Sequence, residues 1–264
     1  MDNTPANDEP QITGNVLLYN SPEPLSLELH RGLGAKRVDR PFAFLGTTHI
    51  VPLTVAEFAM AASSFPIIFV GDDKSPVAVM GARAGENVFV TELGEPDPEM
   101  YVPAFARRYP FVFAADEQSD RLLLCIDRTA PMIGTEPDVP FFDGDQPSQY
   151  TQDAIEFCKE FEVQRRATEQ FIALLNQHDL LEQKSVSFTP RLPDGSAGEP
   201  QKIADYWAIS EERLNKLPTD VFLQMRDQGV IAAAYAHLLS LLLWPRVIQR
   251  TIRRFEETQS RQVM

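Results

Sequence analysis

The stretch FPIIFVGDDKSPVAVMG, residues 65–81, decides how the chain is read. Two short apolar runs rich in β-branched residues flank GDDKS, a cluster of turn formers. Pro66 stands where a first strand residue gives up no ladder hydrogen bond. The segment is a β-hairpin. An echo follows 44 positions later, where Tyr109-Pro110 opens YPFVFA, ADEQSD turns the chain and RLLLCI returns it. Each copy also follows a Val-Pro element, VPLTVAEFAMAASS in the first and VPAFARR in the second. A duplicated unit would place the two hairpins side by side in one sheet; convergence of short apolar hairpins on similar sequences would also produce the echo.

Working outward, NVLLYN, FAFLG, NVFVTEL and the hairpin runs fill residues 16–134 with short strand-like segments, separated by GARAGEN, GEPDPE and other turn clusters. The pattern predicts mainly antiparallel sheet. After Pro140 the period changes. Ser148 or Thr151 can cap a helix of up to 30 residues whose apolar positions include Ile155, Cys158, Phe161, Phe171, Leu174, Leu175 and Leu181. Two strands around LPDGSAGEP come next. Three helices follow: EERLNKL capped by Ser210, DVFLQMRDQ capped by Thr219 and ended by Gly229, and VIAAAYAHLLSLLLW, which either ends at Pro245 or continues past a kink or break there. Strands first and helices after define an α+β protein. The expected organisation is a disordered arm over 1–14, one domain over 15–250 (β-rich to 140, helical from 141) and a charged helical tail over 251–264.

The formal charge of −14 and the pI near 4.7 repel phosphates and anionic lipid heads, so nucleic acid is not an expected partner. The most apolar window, Val230 to Trp244, is short of the roughly 20 residues that span a bilayer and is read as a core helix. MDNTPANDEPQITG lacks the basic and apolar regions of a secretory signal, and Cys125 and Cys158 form no CxxC pair or disulfide framework. A reducing, cytoplasmic setting fits. GxGxxG after a strand, the P-loop, GxSxG and HExxH are all missing, which excludes many nucleotide-dependent and hydrolytic chemistries.

The candidate site residues each carry a plainer alternative. Thr54 and Glu57 have the T-x-x-E spacing of a capping box, which gives Glu57 a structural task beside the role of general base. His49, five residues before Thr54, and His237, within AYAHLLSLLLW, are the other acid–base candidates; an imidazole on a helix is ordinarily bonded to backbone or carboxylate. Asp138, Asp143 and Asp145 are candidate metal ligands, although EPDVPFFDGDQPSQ lacks the register and terminal Glu of a calcium loop and suits a turn before a helix N-terminus. Arg246, Arg250, Arg253 and Arg254 recur at helical spacing, either as a solvated helix end or as a docking strip for an acidic partner.

The blocks HIVPLTVAEFAMAASSFPIIF, YVPAFARRYPFVFA, FFDGDQPS before a long helix, and RLNKLPTDVFLQMRDQGVIAAAYAHLLSL, in that order, resemble the bacterial SapC family from about residue 15 to 250. The resemblance brings no catalytic residues with it. The family name implies a paracrystalline surface layer and is shared with an unrelated transport permease. This sequence has neither the several spans of a permease nor the signal peptide or Gly/Asp-rich nonapeptides of exported layer proteins. The family's genomic company, cupin-like hydroxylases, flavin-dependent halogenase-like proteins and TonB-dependent receptors, implies an accessory role. The expectation is thus a cytoplasmic, non-catalytic protein that needs no metal or cofactor and binds a peptide, a small molecule or a partner protein, with a homo-oligomer among the arrangements it allows. An enzyme using a histidine acid or base, and a surface-layer structural protein, are the alternatives.

Overall fold

The computed structural model describes residues 16–116, 121–189 and 196–262. The expected N-terminal arm, part of the ADEQSD turn and part of LPDGSAGEP lie outside them. In chain order the elements are β1 (Pro22–Pro24), α1 (Leu27–His30), β2 (Gly34–Ala35), β3 (Ile50–Pro52), α2 (Phe58–Ala61), β4 (Ile67–Val70), β5 (Ser75–Val79), α3 (Ala104–Arg107), β6 (Phe111–Asp116) and β7 (Arg121–Asp127). Then come β8 (Ile133–Gly134), β9 (Val139–Pro140), β10 (Phe142–Asp143), β11 (Gln146–Pro147), α4 (Gln149–Gln177), β12 (Leu181–Phe188), β13 (Gln201–Ile209), α5 (Glu211–Asn215), α6 (Thr219–Asp227), α7 (Val230–Ser240) and α8 (Trp244–Gln262). The fold is α+β, with antiparallel sheets first and a helical region after.

The chain divides into two compact units, the first from the described part of 1–41 with 108–160, the second from 42–107 with 161–264. In the first unit, β1–β7–β6 and β8–β2–β9 are three-stranded antiparallel sheets, and β10–β11 is a small hairpin turning through Gly144 at φ +61°. Phe111, Ile126, Ile133, Phe141 and Cys158 form its core, with the Phe111 and Phe141 rings 5.7 Å apart in an edge contact. Buried aromatic and aliphatic side chains of this kind contribute about 1.5–3 kcal/mol each. Asp127 is fully buried beside that core. It accepts from the backbone of Asn20 (2.8 Å), Ser21 (3.1 Å) and Thr129 (3.1 Å) and from the hydroxyls of Thr129 (2.7 Å) and Tyr109 (3.3 Å), so five donors offset the desolvation of its charge.

The second unit is built on a five-stranded antiparallel sheet in the order β12–β13–β4–β5–β3. The 65–81 segment is its central hairpin, Ile67 pairing with Ala78 and Val70 with Ser75. Phe58, Phe69 and Phe171 pack together on it, with Phe58 and Phe171 edge to face at 5.6 Å. β13 meets β4 at one backbone pair, Trp207 opposite Phe69. Two residues further along that register, Ile209 and Ile67 would face each other, but helix α7 takes both of their N–H groups. Ile209 N–H donates to His237 Nε2 at 3.0 Å and Ile67 N–H to Ser240 Oγ at 2.9 Å. The two strands part, and side chains three positions apart on one helix face replace the missing ladder bonds.

The structure corrects several expectations. The two echoing hairpins belong to different sheets, β4–β5 to the five-stranded one and β6–β7 to a three-stranded one. α4 stops at Gln177; Asp179 takes a left-handed φ of +50°, and Leu181 is the first residue of β12 instead of the last apolar position of the helix. Pro218, not Thr219, holds the N-cap position of α6. Near Pro245 the chain follows the expected alternative in which helix continues past a break, but the break is the 3-10 turn Leu241–Leu243, and Pro245 itself falls in the first turn of α8, where its missing N–H has no intrahelical partner to lose. The helical run from Val230 to Ser260 is accordingly long and apolar enough, by length and composition, to cross a membrane; 33% of its apolar window is buried within the protein.

Candidate functional site

A cleft of about 460 Å³ opens in the second unit. One wall is the 3-10 turn Val55–Glu57, through Val55 and Ala56. The second is α4, through Ala167, Gln170, Phe171 and Leu174. The third is the α6–α7 junction, through Gln228, Gly229, Val230 and Ala233. Apolar and small side chains dominate, with two amides at the edge. Gly229 makes the junction sharp, since its φ of +76° is a conformation that side chains resist.

Glu57 fixes the first wall. The residue is 6% exposed and its carboxylate takes four donors. Oε2 accepts from Thr54 N–H and Thr54 Oγ1, both at 2.8 Å, which is the glutamate half of a capping box. Oε1 accepts from the Tyr101 hydroxyl at 3.0 Å and from Ala104 N–H, at the start of α3, at 2.6 Å. The Tyr101 hydroxyl in turn accepts from Arg107 at 3.2 Å. Burial, and next the Glu57 charge, push the Tyr101 phenol above its ordinary range and keep it a donor. Thr168 Oγ1 accepts from Val55 N–H at 2.9 Å and ties the same turn to α4. Two of the cleft walls, the Val55–Glu57 turn and α4, are thus tied by a hydrogen bond, and each oxygen of the Glu57 carboxylate accepts two donors.

His237 lies one helical turn beyond Ala233 and is not among the residues that line the cleft. It is fully buried, 5.1 Å from the Phe69 ring, and burial pushes its imidazole down to about 3, with the Ile67 backbone acting in the opposite direction. Neutral Nε2 is the acceptor for Ile209 N–H, which puts the proton on Nδ1. His49 is half-buried at the start of the β3 segment, and desolvation lowers its imidazole; its carbonyl accepts from Met80 (2.7 Å) and Gly81 (3.1 Å). The structure does not bring the two histidines into one cluster with Glu57.

The three aspartates are also apart in role. Asp138 accepts from Arg37 N–H at 2.8 Å, Asp145 pairs with Arg31 at 2.7 Å, and Asp143 sits in the β10–β11 hairpin opposite Gln146. Among the described residues no group of three His, Cys, Asp or Glu side chains has a metal-binding arrangement. The arginine strip turns inward in part. Arg250 pairs with Asp97 at 2.6 Å and lies over the Phe89 ring at 4.6 Å, with Arg246 5.8 Å from the same ring; Arg254 donates to the carbonyls of Asn87 and, at 2.9 Å, Val90. Arg253 is exposed. Two of the four therefore clamp α8 onto residues 87–97 of their own chain.

Sequence reasoning missed the Asp127 hub, the Tyr101 partner of Glu57, and His30, which is buried with Nε2 2.9 Å from Glu23. Asp127 carried a legible signal, since an Asp two residues before a Thr forms an Asx turn. The Glu57–Tyr101 contact had none.

These features define an α+β protein whose candidate site is an apolar cleft in the second unit. The SapC family model matches residues 25–247, most of the length, and the chain belongs to that family. No curated protein and no solved structure matches it.

Proposed function

We propose that this SapC protein is a non-catalytic binding protein whose 55–56, 167–174 and 228–233 cleft receives an apolar group, either a small molecule or an apolar side chain of a peptide. The observation behind this reading is the apolar cleft itself, with walls set in place by Glu57 and Thr168 before any ligand arrives. The assignment of His237 and Glu57 to backbone donors supports binding over acid–base chemistry, because a general base needs an unoccupied lone pair facing substrate. In the cell the reading is that of a cytoplasmic accessory to peptide or small-molecule tailoring enzymes of the cupin-like hydroxylase or halogenase-like kind, the partners that the family's genomic company implies.

Titration with the apolar fluorophore 8-anilinonaphthalene-1-sulfonate tests the cleft. Saturable binding by the native protein, lost in Ala233→Trp while far-ultraviolet circular dichroism is unchanged, supports the reading. Equal binding by both proteins, or none by either, refutes it.

A further inference from the structure

The outer edge of β12 ends the five-strand order, and its residues Gln183, Lys184 and Ser185 are exposed in succession. The ladder phase shows which backbone groups face outward. Ser210 N–H donates to the Leu180 carbonyl at 2.8 Å, which makes 180 and 210 a bonded pair. Alternation then makes Glu182–Ala208 and Lys184–Tyr206 bonded pairs as well, so Leu181, Gln183 and Ser185 direct N–H and C=O away from β13. Arg213 agrees with this phase, donating from outside to the Leu181 carbonyl at 3.2 Å. Beyond Leu181, the strand offers an outward donor and acceptor at Gln183 and again at Ser185; with a two-fold axis at Gln183 the full exchange falls on Gln183 itself, since Ser185 then faces the copy's Leu181, whose carbonyl Arg213 holds.

We infer that β12 pairs antiparallel with β12 of a second copy of this chain, about a two-fold axis at Gln183. That register sets Glu182 opposite the copy's Lys184, and Lys184 opposite the copy's Glu182. All four charges share one sheet face, because residues two apart on a strand do. Within one chain Lys184 and Glu182 are already 3.1 Å apart. Pairing turns two such couples into a ring of alternating sign. Charges on an edge strand ordinarily discourage pairing. Here they discourage the neighbouring register instead: an axis at Ser185 would face Lys184 with Val186 and Glu182 with Phe188, stranding both charges opposite apolar side chains. The Gln183 axis is self-complementary, which an isologous interface requires.

Sedimentation velocity on the full chain tests the inference, with circular dichroism confirming that each variant is folded. The native protein sediments as a dimer. Glu182→Lys and Lys184→Glu, which place like charges opposite each other, each weaken the dimer by about tenfold. An equimolar mixture of the two variants restores it as a mixed dimer, and the doubly exchanged E182K/K184E chain dimerises with itself. A monomeric native protein, single variants that sediment like the native protein, or a mixture that fails to recover the dimer each overturn the inference. So does a native monomer that captures an unrelated strand peptide at this edge.

Discussion

The hydroxyl of Tyr101 donates to Glu57 at 3.0 Å across 44 residues of chain, and the same carboxylate oxygen accepts the first backbone N–H of α3. One buried side chain therefore joins the turn that walls the cleft to a segment remote in sequence. Glu57→Ala removes the acceptor for Thr54 N–H, Tyr101 and Ala104 N–H at once. Buried donors left without partners cost about 1–3 kcal/mol each before relaxation, so a loss of about 3–5 kcal/mol is expected. Urea unfolding followed by circular dichroism measures it. Glu57→Gln, which keeps one acceptor oxygen, is expected to lose less than half as much.

His237 gives the protein a dependence on pH. Its folded imidazole is pushed down to about 3, below the ordinary value of 6.5, so between these values the unfolded chain binds more protons than the folded one. Its contribution is fully present above pH 6.5 and falls as the solution is acidified toward 3, at up to about 1.4 kcal/mol per pH unit. His237→Gln keeps an acceptor for Ile209 N–H without the titration. Unfolding free energies at pH 4, 5 and 6 are expected to slope about 1 kcal/mol per unit less steeply in the variant.

Asp127 acts in a more acidic range. Burial works to raise its carboxyl, but the hydrogen bonds from Asn20, Thr129 and Ser21 prevail and hold it below the usual carboxylate range. Its contribution is present above the unfolded value of 3.8 and lost as pH falls through the lower folded value. Asp127→Asn exchanges one of the two acceptor oxygens for an NH2 that faces donors, and is expected to destabilise the first unit by about 2 kcal/mol at neutral pH. Amide exchange at Asn20 and Ser21, measured by NMR, is expected to accelerate.

At the cleft, Gly229→Ala imposes a side chain on a left-handed φ of +76°. Its cost is about 1 kcal/mol in thermal unfolding. Fluorophore binding in the cleft is expected to weaken as well, because the strained junction carries Gln228 and Val230, which line it.

Much of the architecture was legible because local physics decided it. Pro66 and the GDDKS turn specify a hairpin by themselves, and Ser148 accepts from Thr151 N–H at 3.3 Å where a capping residue was expected. Boundaries failed where local and tertiary preferences disagree. Leu181 continues the apolar spacing of α4, yet a left-handed Asp179 lets it enter the sheet. Pro245 looks like a helix stop, but a 3-10 turn before it converts the stop into a start. The site was less legible for a different reason. The spacing of Thr54 and Glu57 announces one half of the carboxylate's work, while the other half depends on Tyr101 and Ala104, and nothing local in the chain couples them to it. The cleft likewise joins three segments separated by more than 50 residues each.

The parting of β13 from β4 leaves the β12–β13 hairpin dependent on helices for its attachment. Its root is fastened by one backbone pair and by two borrowed acceptors on α7, His237 and Ser240, and further along Tyr206 packs on Trp244 at the start of α8. Exchange of either acceptor for an apolar residue leaves a strand-end N–H without its partner and loosens the root. The root positions on α7 and the strand ends they hold are therefore expected to change together.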